Sequence, residues 1–129
     1  MNPDGSYTSG LDRAFRAGGG VPRWRHVASA SYSKGAWEVA ALQNYQKSYV
    51  DQLANFSSVP RRVGSYETFD AQVAYTGIRA IRAVLGVKNV IDRDPPYTNA
   101  GGQFIAGYDV TYADPRGRFF YTTLKWTFK

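Results

Sequence analysis

Gly117-Arg118-Phe119-Phe120-Tyr121-Thr122-Thr123-Leu124-Lys125-Trp126-Thr127-Phe128, close to the end of the chain, is the stretch on which the fold turns. Read with a period of two, Phe120, Thr122, Leu124, Trp126 and Phe128 share one face, and Phe119, Tyr121, Thr123, Lys125 and Thr127 the other. About ten residues after a Pro/Gly turn suit a tilted strand that crosses a bilayer's hydrocarbon core, and the apolar face ends in two large aromatics. Alternation alone also fits a soluble, half-buried strand. The neighbouring segments have to decide between the two.

Moving back through the chain, the same period recurs. Ile81, Ala83, Leu85 and Val87 alternate with Arg82, Val84, Gly86 and Lys88, and before them Phe69, Ala71, Val73 and Tyr75 alternate with Thr68, Asp70, Gln72, Ala74 and Thr76. Earlier still, Trp37, Val39, Ala41, Gln43 and Tyr45 oppose Glu38, Ala40, Leu42, Asn44 and Gln46, and Trp24, His26, Ala28, Ala30 and Tyr32 oppose Arg25, Val27, Ser29, Ser31 and Ser33. Residues 1–22 read as loop, with turn chemistry in Asn2-Pro3-Asp4-Gly5-Ser6, a breaker in Gly18-Gly19-Gly20, and at most one helical turn over Leu11, Ala14 and Phe15. Short turns are expected at Lys34-Gly35 and Thr76-Gly77, and long loops at about 51–64 and 91–116.

The expected fold is therefore all-β, an antiparallel up-and-down meander of about five strands with long loops on one side and short turns on the other. Walking the strands places Tyr32, Trp37, Tyr75, Trp126 and Phe128 at the short-turn end, all on the more apolar face of their strands. That arrangement is a membrane girdle of aromatics, with an apolar outer face and a polar inner one, as in an outer-membrane barrel. The competing arrangement is a soluble β-barrel that binds a small hydrophobic ligand, with the same apolar faces rolled inward.

Composition narrows the function classes. In 129 residues there are 16% aromatics, 13 Gly and 6 Pro, which favours strands punctuated by turns. No run approaches the roughly 18 apolar residues of a membrane helix, and the first residues have neither the basic nor the apolar region of an export signal. Without cysteine there is no disulfide, thiolate metal site or thiol nucleophile. A single histidine, His26, rules out a multi-histidine metal centre within one chain and reads as an interfacial residue near the long-loop rim. The net charge of +6 permits an anionic partner without naming one.

No catalytic residue, metal site or cofactor is expected. Asp92, Asp94, Asp109 and Asp114 lie in one loop, but their spacing does not fit an EF-hand, and they read as turn-forming residues in a solvated loop. No nucleophile comes with a base, and no carboxylate pair sits on a rigid element. Arg116-Gly117-Arg118-Phe119-Phe120-Tyr121 interleaves basic and aromatic residues, yet the RNA-binding pattern needs an aromatic straight after Gly, where Arg118 stands, so no nucleic-acid partner is expected.

Two passages carry a family resemblance. Gly86-Val87-Lys88-Asn89-Val90-Ile91-Asp92-Arg93-Asp94-Pro95-Pro96 resembles the "GVxNLFDRDPP" strand-to-loop passage of TonB-dependent outer-membrane receptors. Gly107-Tyr108-Asp109 with Tyr112-Ala113-Asp114-Pro115-Arg116-Gly117-Arg118 is similar to their "GYD…YADPRGR" passage before the last strand. Pro22-Arg23-Trp24-Arg25 and Gln43-Asn44-Tyr45 add supporting matches. Two positions depart from the pattern: Val90-Ile91 replaces the commoner Leu-Phe, and Lys129 follows the terminal aromatic.

The resemblance implies that residues 23–129 are the last part of a 22-stranded barrel in the cell outer membrane, plugged by an N-terminal domain. Such a receptor imports a scarce ligand of the ferric siderophore, haem or cobalamin class, with energy from the TonB complex acting through an N-terminal part. Only about five strands are expected here, so the segment is not active in transport alone, and Met1 falls inside what the family treats as a loop, which fits either a natural start or a truncation. The resemblance gives Tyr97, Phe104, Tyr108 and Tyr112 a place in a ligand-capturing loop, where loop packing is the competing role. It also makes Phe120, Leu124, Trp126 and Phe128 a terminal strand read by the barrel-assembly machinery. The expected partners are outer-membrane lipid, the rest of the barrel and its plug, and, for the isolated chain with its open edges, further copies of itself.

Overall fold

The computed structural model describes residues 13–15, 19–51, 61–98 and 107–128. Nine strands lie in these residues: β1 (Arg13–Phe15), β2 (Gly19–Val21), β3 (Arg25–Lys34), β4 (Trp37–Gln46), β5 (Tyr49–Val50), β6 (Arg62–Val63), β7 (Tyr66–Tyr75), β8 (Ile81–Lys88) and β9 (Phe119–Trp126). The chain divides into two compact units, neither of them a continuous run. One comprises Met1–Arg25, Gln46–Tyr66 and Pro95–Asp114, the other His26–Tyr45, Glu67–Asp94 and Pro115–Lys129.

The second unit is built on a five-stranded sheet in the order β3-β4-β7-β8-β9, the meander that the period of two predicts. Its register fixes which side chains share a face. Ala71 pairs with Val87, Val73 with Leu85 and Tyr75 with Ala83, while Val87 in turn pairs with Phe120, Leu85 with Thr122, Ala83 with Leu124 and Ile81 with Trp126. Cross-strand partners point to the same side, so the apolar sets of β7, β8 and β9 merge into one surface. On the opposite face Gln72, Gly86 and Tyr121 form a row through the same ladder.

Gly86 is required by that row. A Cβ there would fall 2.2 Å from Tyr121 Cζ, because the tyrosine ring lies flat across the glycine. The ring reaches over β8 to β7, where the Tyr121 hydroxyl donates to Gln72 Oε1 at 3.0 Å. An aromatic lying across a strand glycine in this way covers backbone that has no side chain of its own. On the same face the Arg82 guanidinium reaches Glu38 Oε2 at 2.8 Å, and Arg82 stands directly opposite Lys125 in the ladder.

The strand-to-loop passage after β8 is a set of hydrogen-bonded turns. Asn89 is buried with φ 50. Its backbone N–H donates to Asp70 Oδ1 at 2.9 Å, its Nδ2 donates to Arg93 O at 3.0 Å, and its Oδ1 accepts from Arg93 N–H at 2.9 Å. Asp92, also at positive φ (56), accepts the Arg118 N–H at 2.7 Å. Gly117, at φ 64, lies so close that a Cβ would meet Asp92 Oδ1 at 2.8 Å. Asn and Asp tolerate the left-handed region better than other side chains, and glycine enters it without strain. The two passages that carry the family resemblance are therefore joined to each other by Asp92, which sets where β9 begins.

The first unit holds a small sheet in the order β2-β1-β5-β6. β1 pairs antiparallel with β2 and parallel with β5, and β5 pairs antiparallel with β6. Three short strands, β1, β2 and β6, stand where the sequence reads as loop. Their ladders use only backbone groups, so Gly19 and Gly20 can pair as readily as any residue. Among the described residues of the unit, the buried apolar side chains are Tyr49, Val63 and Tyr66.

Two turns differ from expectation. The first hairpin turns on Gly35-Ala36, one residue later than expected, between the ends of β3 and β4. The connection expected at Thr76-Gly77 runs over residues 76–80, because Ile81 N–H closes a turn on Ile78 O at 3.1 Å with Ala80 at φ 66.

Candidate functional site

Two surfaces hold the residues singled out in the sequence, one in each unit. In the sheet unit, the short turns and the chain's end gather at one side: Thr76 N–H donates to Ala36 O and Thr127 N–H to Ala80 O, each at 2.9 Å. The aromatics of that end meet. The Trp37 and Tyr75 rings lie 4.5 Å apart, and Trp126 stacks with Phe128 at 4.8 Å. Tyr32, on the edge strand β3, is exposed, as are Trp37, Trp126 and Phe128.

The apolar face leading away from this cluster is open. Leu85 is 57% exposed, Leu124 73%, Phe120 67% and Trp126 65%. A groove of about 290 Å³ runs along it, bounded by Val39, Ala71, Val73, Leu85, Val87 and Phe120. At the other end of the face the surface turns polar: Gln43 donates to Glu67, and His26 stacks on Tyr45 at 5.1 Å. Along β4 and β7 the face thus runs from polar, at Gln43 and Glu67, to aromatic, at Trp37 and Tyr75.

In the loop unit, Tyr97 and Tyr112 each have a ring face covered by a guanidinium, Arg61 at 4.5 Å and Arg25 at 5.2 Å from the centroids. Tyr97 remains exposed, whereas Tyr108 and Tyr112 are half-buried. Phe104 lies outside the described residues. The face of each ring that the sequence reading offers to a ligand is thus partly taken by the protein's own cation.

Sequence reasoning misses the polar centre of this unit. Asp109, expected in a solvated loop, is 5% exposed. It does form a turn, accepting Thr111 N–H at 2.9 Å, but it also receives the Tyr49 hydroxyl at 3.5 Å from a strand sixty residues away. Asp51 is equally buried and accepts the Thr98 hydroxyl at 2.6 Å. Burial pushes the Tyr49 hydroxyl well above the usual tyrosine range, and the nearby Asp109 and Asp51 carboxylates push it the same way. Nothing in the local pattern around Tyr49 or Asp109 marks them, since the contact joins distant loops.

Tyr49, Tyr66, Asp109 and Tyr112 line a recess of about 10 Å³, the room of one water and far below that of a ligand. Among the described residues no group of three or more His, Cys, Asp or Glu is placed to hold a metal ion. No helix in these residues is long and apolar enough to cross a membrane.

Comparison with known proteins gives one finding. The sequence profile of the family described as "TonB dependent receptor-like, beta-barrel" matches residues 3–90. No curated protein and no solved structure gives a match.

Proposed function

The chain belongs to the TonB-dependent receptor β-barrel family of outer-membrane transport proteins, and we propose that residues 23–129 are the C-terminal part of such a receptor's barrel. In this reading the complete protein imports a scarce ligand of the ferric siderophore, haem or cobalamin class, the TonB complex supplying energy through an N-terminal part. The segment has no catalytic role and does not transport alone.

The observation that carries the reading is the open apolar face of the sheet, which ends in the Trp37–Tyr75 and Trp126–Phe128 ring pairs. Tyr32, Trp37 and Tyr75 then belong to the membrane girdle, and Phe120, Leu124, Trp126 and Phe128 to a terminal strand offered to the barrel-assembly machinery. A soluble barrel would have to bury Leu85 and Trp126, which are 57% and 65% exposed. Tyr97, Phe104, Tyr108 and Tyr112 contribute to the ligand side through the long loop. In water the isolated chain self-associates, because β3 and β9 are unpaired edges beside an apolar face.

The test is tryptophan fluorescence in detergent micelles that carry a depth-placed quencher, read together with the apparent mass. Quenching of Trp37 and Trp126 with a fall in mass on adding detergent supports the barrel reading. Unquenched emission from a compact monomer in plain buffer overturns it.

A further inference from the structure

We propose that the apolar face is a seat for one anionic glycerophospholipid, its acyl chain in the Val39–Phe120 groove at mid-sheet and its phosphate at Lys34 and Arg79 at the short-turn end. The proposal rests on the membrane reading above and adds to it a bound lipid of defined charge.

The groove has a physical origin. Ala71 pairs with Val87, and Val87 with Phe120, so the row across the three strands steps down from a large ring to a small side chain. The resulting trough of about 290 Å³ is lined mainly by aliphatic side chains and Phe120, with Gln72 and Gly86 at its floor. Bulk lipid wets any apolar strand face. A trough gives one chain more contact than the flat face beside it.

What stands at the end of the trough selects the headgroup. From Val73, two residues along β7, roughly 7 Å at strand rise, lead to Tyr75 and its ring contact with Trp37. Aromatic rings of this kind mark the level of the headgroups. Beyond them come the cations. Lys34 shares the parity of Tyr32 and so the outward side of β3, and it is exposed; Arg79 is exposed in the turn between β7 and β8.

Among the described residues of this end, 32–38, 74–83 and 124–128, the acid is Glu38, which lies on the opposite face and is bonded to Arg82 at 2.8 Å. Among the described residues this end thus carries the exposed Lys34 and Arg79, with its acid on the opposite face. A phosphodiester within reach of Lys34 and Arg79, with its chain in the trough, matches both the charge and the shape.

The full chain in a neutral detergent, offered phosphatidylglycerol or phosphatidylcholine with identical acyl chains and read by native mass spectrometry, tests this. One phosphatidylglycerol is expected to be retained, at least about fivefold better than phosphatidylcholine, as two cations at a lipid surface would give. The double variant K34Q/R79Q is expected to lose the preference and bind both lipids equally and weakly. Ala71→Phe, which fills the trough, is expected to lose both, and Val39→Trp provides a second filling variant. Equal retention of the two lipids by the unaltered chain overturns the proposal, as does retention unchanged in both filling variants. A chain that takes up no detergent at all overturns the membrane reading itself, and its unchanged mass on adding detergent tells that failure apart from the loss of lipid selectivity.

Discussion

The Tyr121 hydroxyl donates to Gln72 Oε1 at 3.0 Å across Gly86, so three neighbouring strands are tied by one side chain lying flat on a residue that has none. Register in a sheet is set face by face, and this row can form in only one register. Gly86→Ala should push the ring off the strand and cost about 1 kcal/mol, chiefly the lost hydrogen bond. Tyr121→Phe should cost a similar amount, and the double variant little more than either alone. Chemical unfolding in micelles measures the three midpoints, and full additivity would mean that ring and glycine do not act together.

Asp92 joins the two loops that carry the family resemblance. Asp92→Ala removes the acceptor for Arg118 N–H and should destabilise the start of β9 by about 1 kcal/mol, the partial exposure of the site keeping the effect small. Asp92→Asn keeps an acceptor and should cost less. The readout is hydrogen exchange in the segment around 116–121: faster exchange there in the alanine variant, with β7 unchanged, is the expected result. Gly117→Ala should reproduce it through strain at φ 64.

Glu38 offsets the repulsion between two like charges. With Arg82 opposite Lys125 in the ladder, the carboxylate 2.8 Å from Arg82 offsets their repulsion. Glu38→Gln should destabilise the sheet by roughly 0.5 kcal/mol at low salt, since both partners are partly solvated. Adding Lys125→Gln should recover most of this, and raising the salt should shrink the difference. Unfolding midpoints at two ionic strengths decide it.

Tyr49 gives the loop unit a pH limit. Its hydroxyl holds its proton more tightly when folded than unfolded, so the folded state carries more protons once the unfolded tyrosine begins to ionise near pH 10. The stability contributed by neutral Tyr49 is therefore complete below that pH and falls as the pH rises above it. Tyr49→Phe should flatten the decline. Tyrosinate absorbance followed alongside unfolding gives the comparison, and an unchanged slope in the variant would remove Tyr49 as the cause.

The sheet was legible in the sequence because period two is a local signal: Phe120 to Phe128 alternate, and so do Phe69 to Tyr75, and short turns then fix which faces merge. The parity that joins Tyr32, Trp37, Tyr75 and Trp126 needs nothing beyond counting. The small strands β1, β2, β5 and β6 were not legible, because two or three residues carry no period. Nor was the burial of Asp109 or the covering of Tyr97 by Arg61, which depend on how distant loops meet and leave no mark on either segment alone. The residues of the two family passages were conspicuous, but their work, turn closure through Asn89 and Asp92, is visible only in the fold.

The order β3-β4-β7-β8-β9 has an arithmetic consequence. Each step through this meander reverses direction, so after four reversals the two edge strands, β3 and β9, point the same way. A second copy set beside the first with its long loops on the same side of the membrane would meet it in parallel pairing. Closure with antiparallel neighbours throughout needs an even ring. Whatever completes this wall must therefore bring an odd number of strands, the first and last of them opposed in direction to the edges they meet.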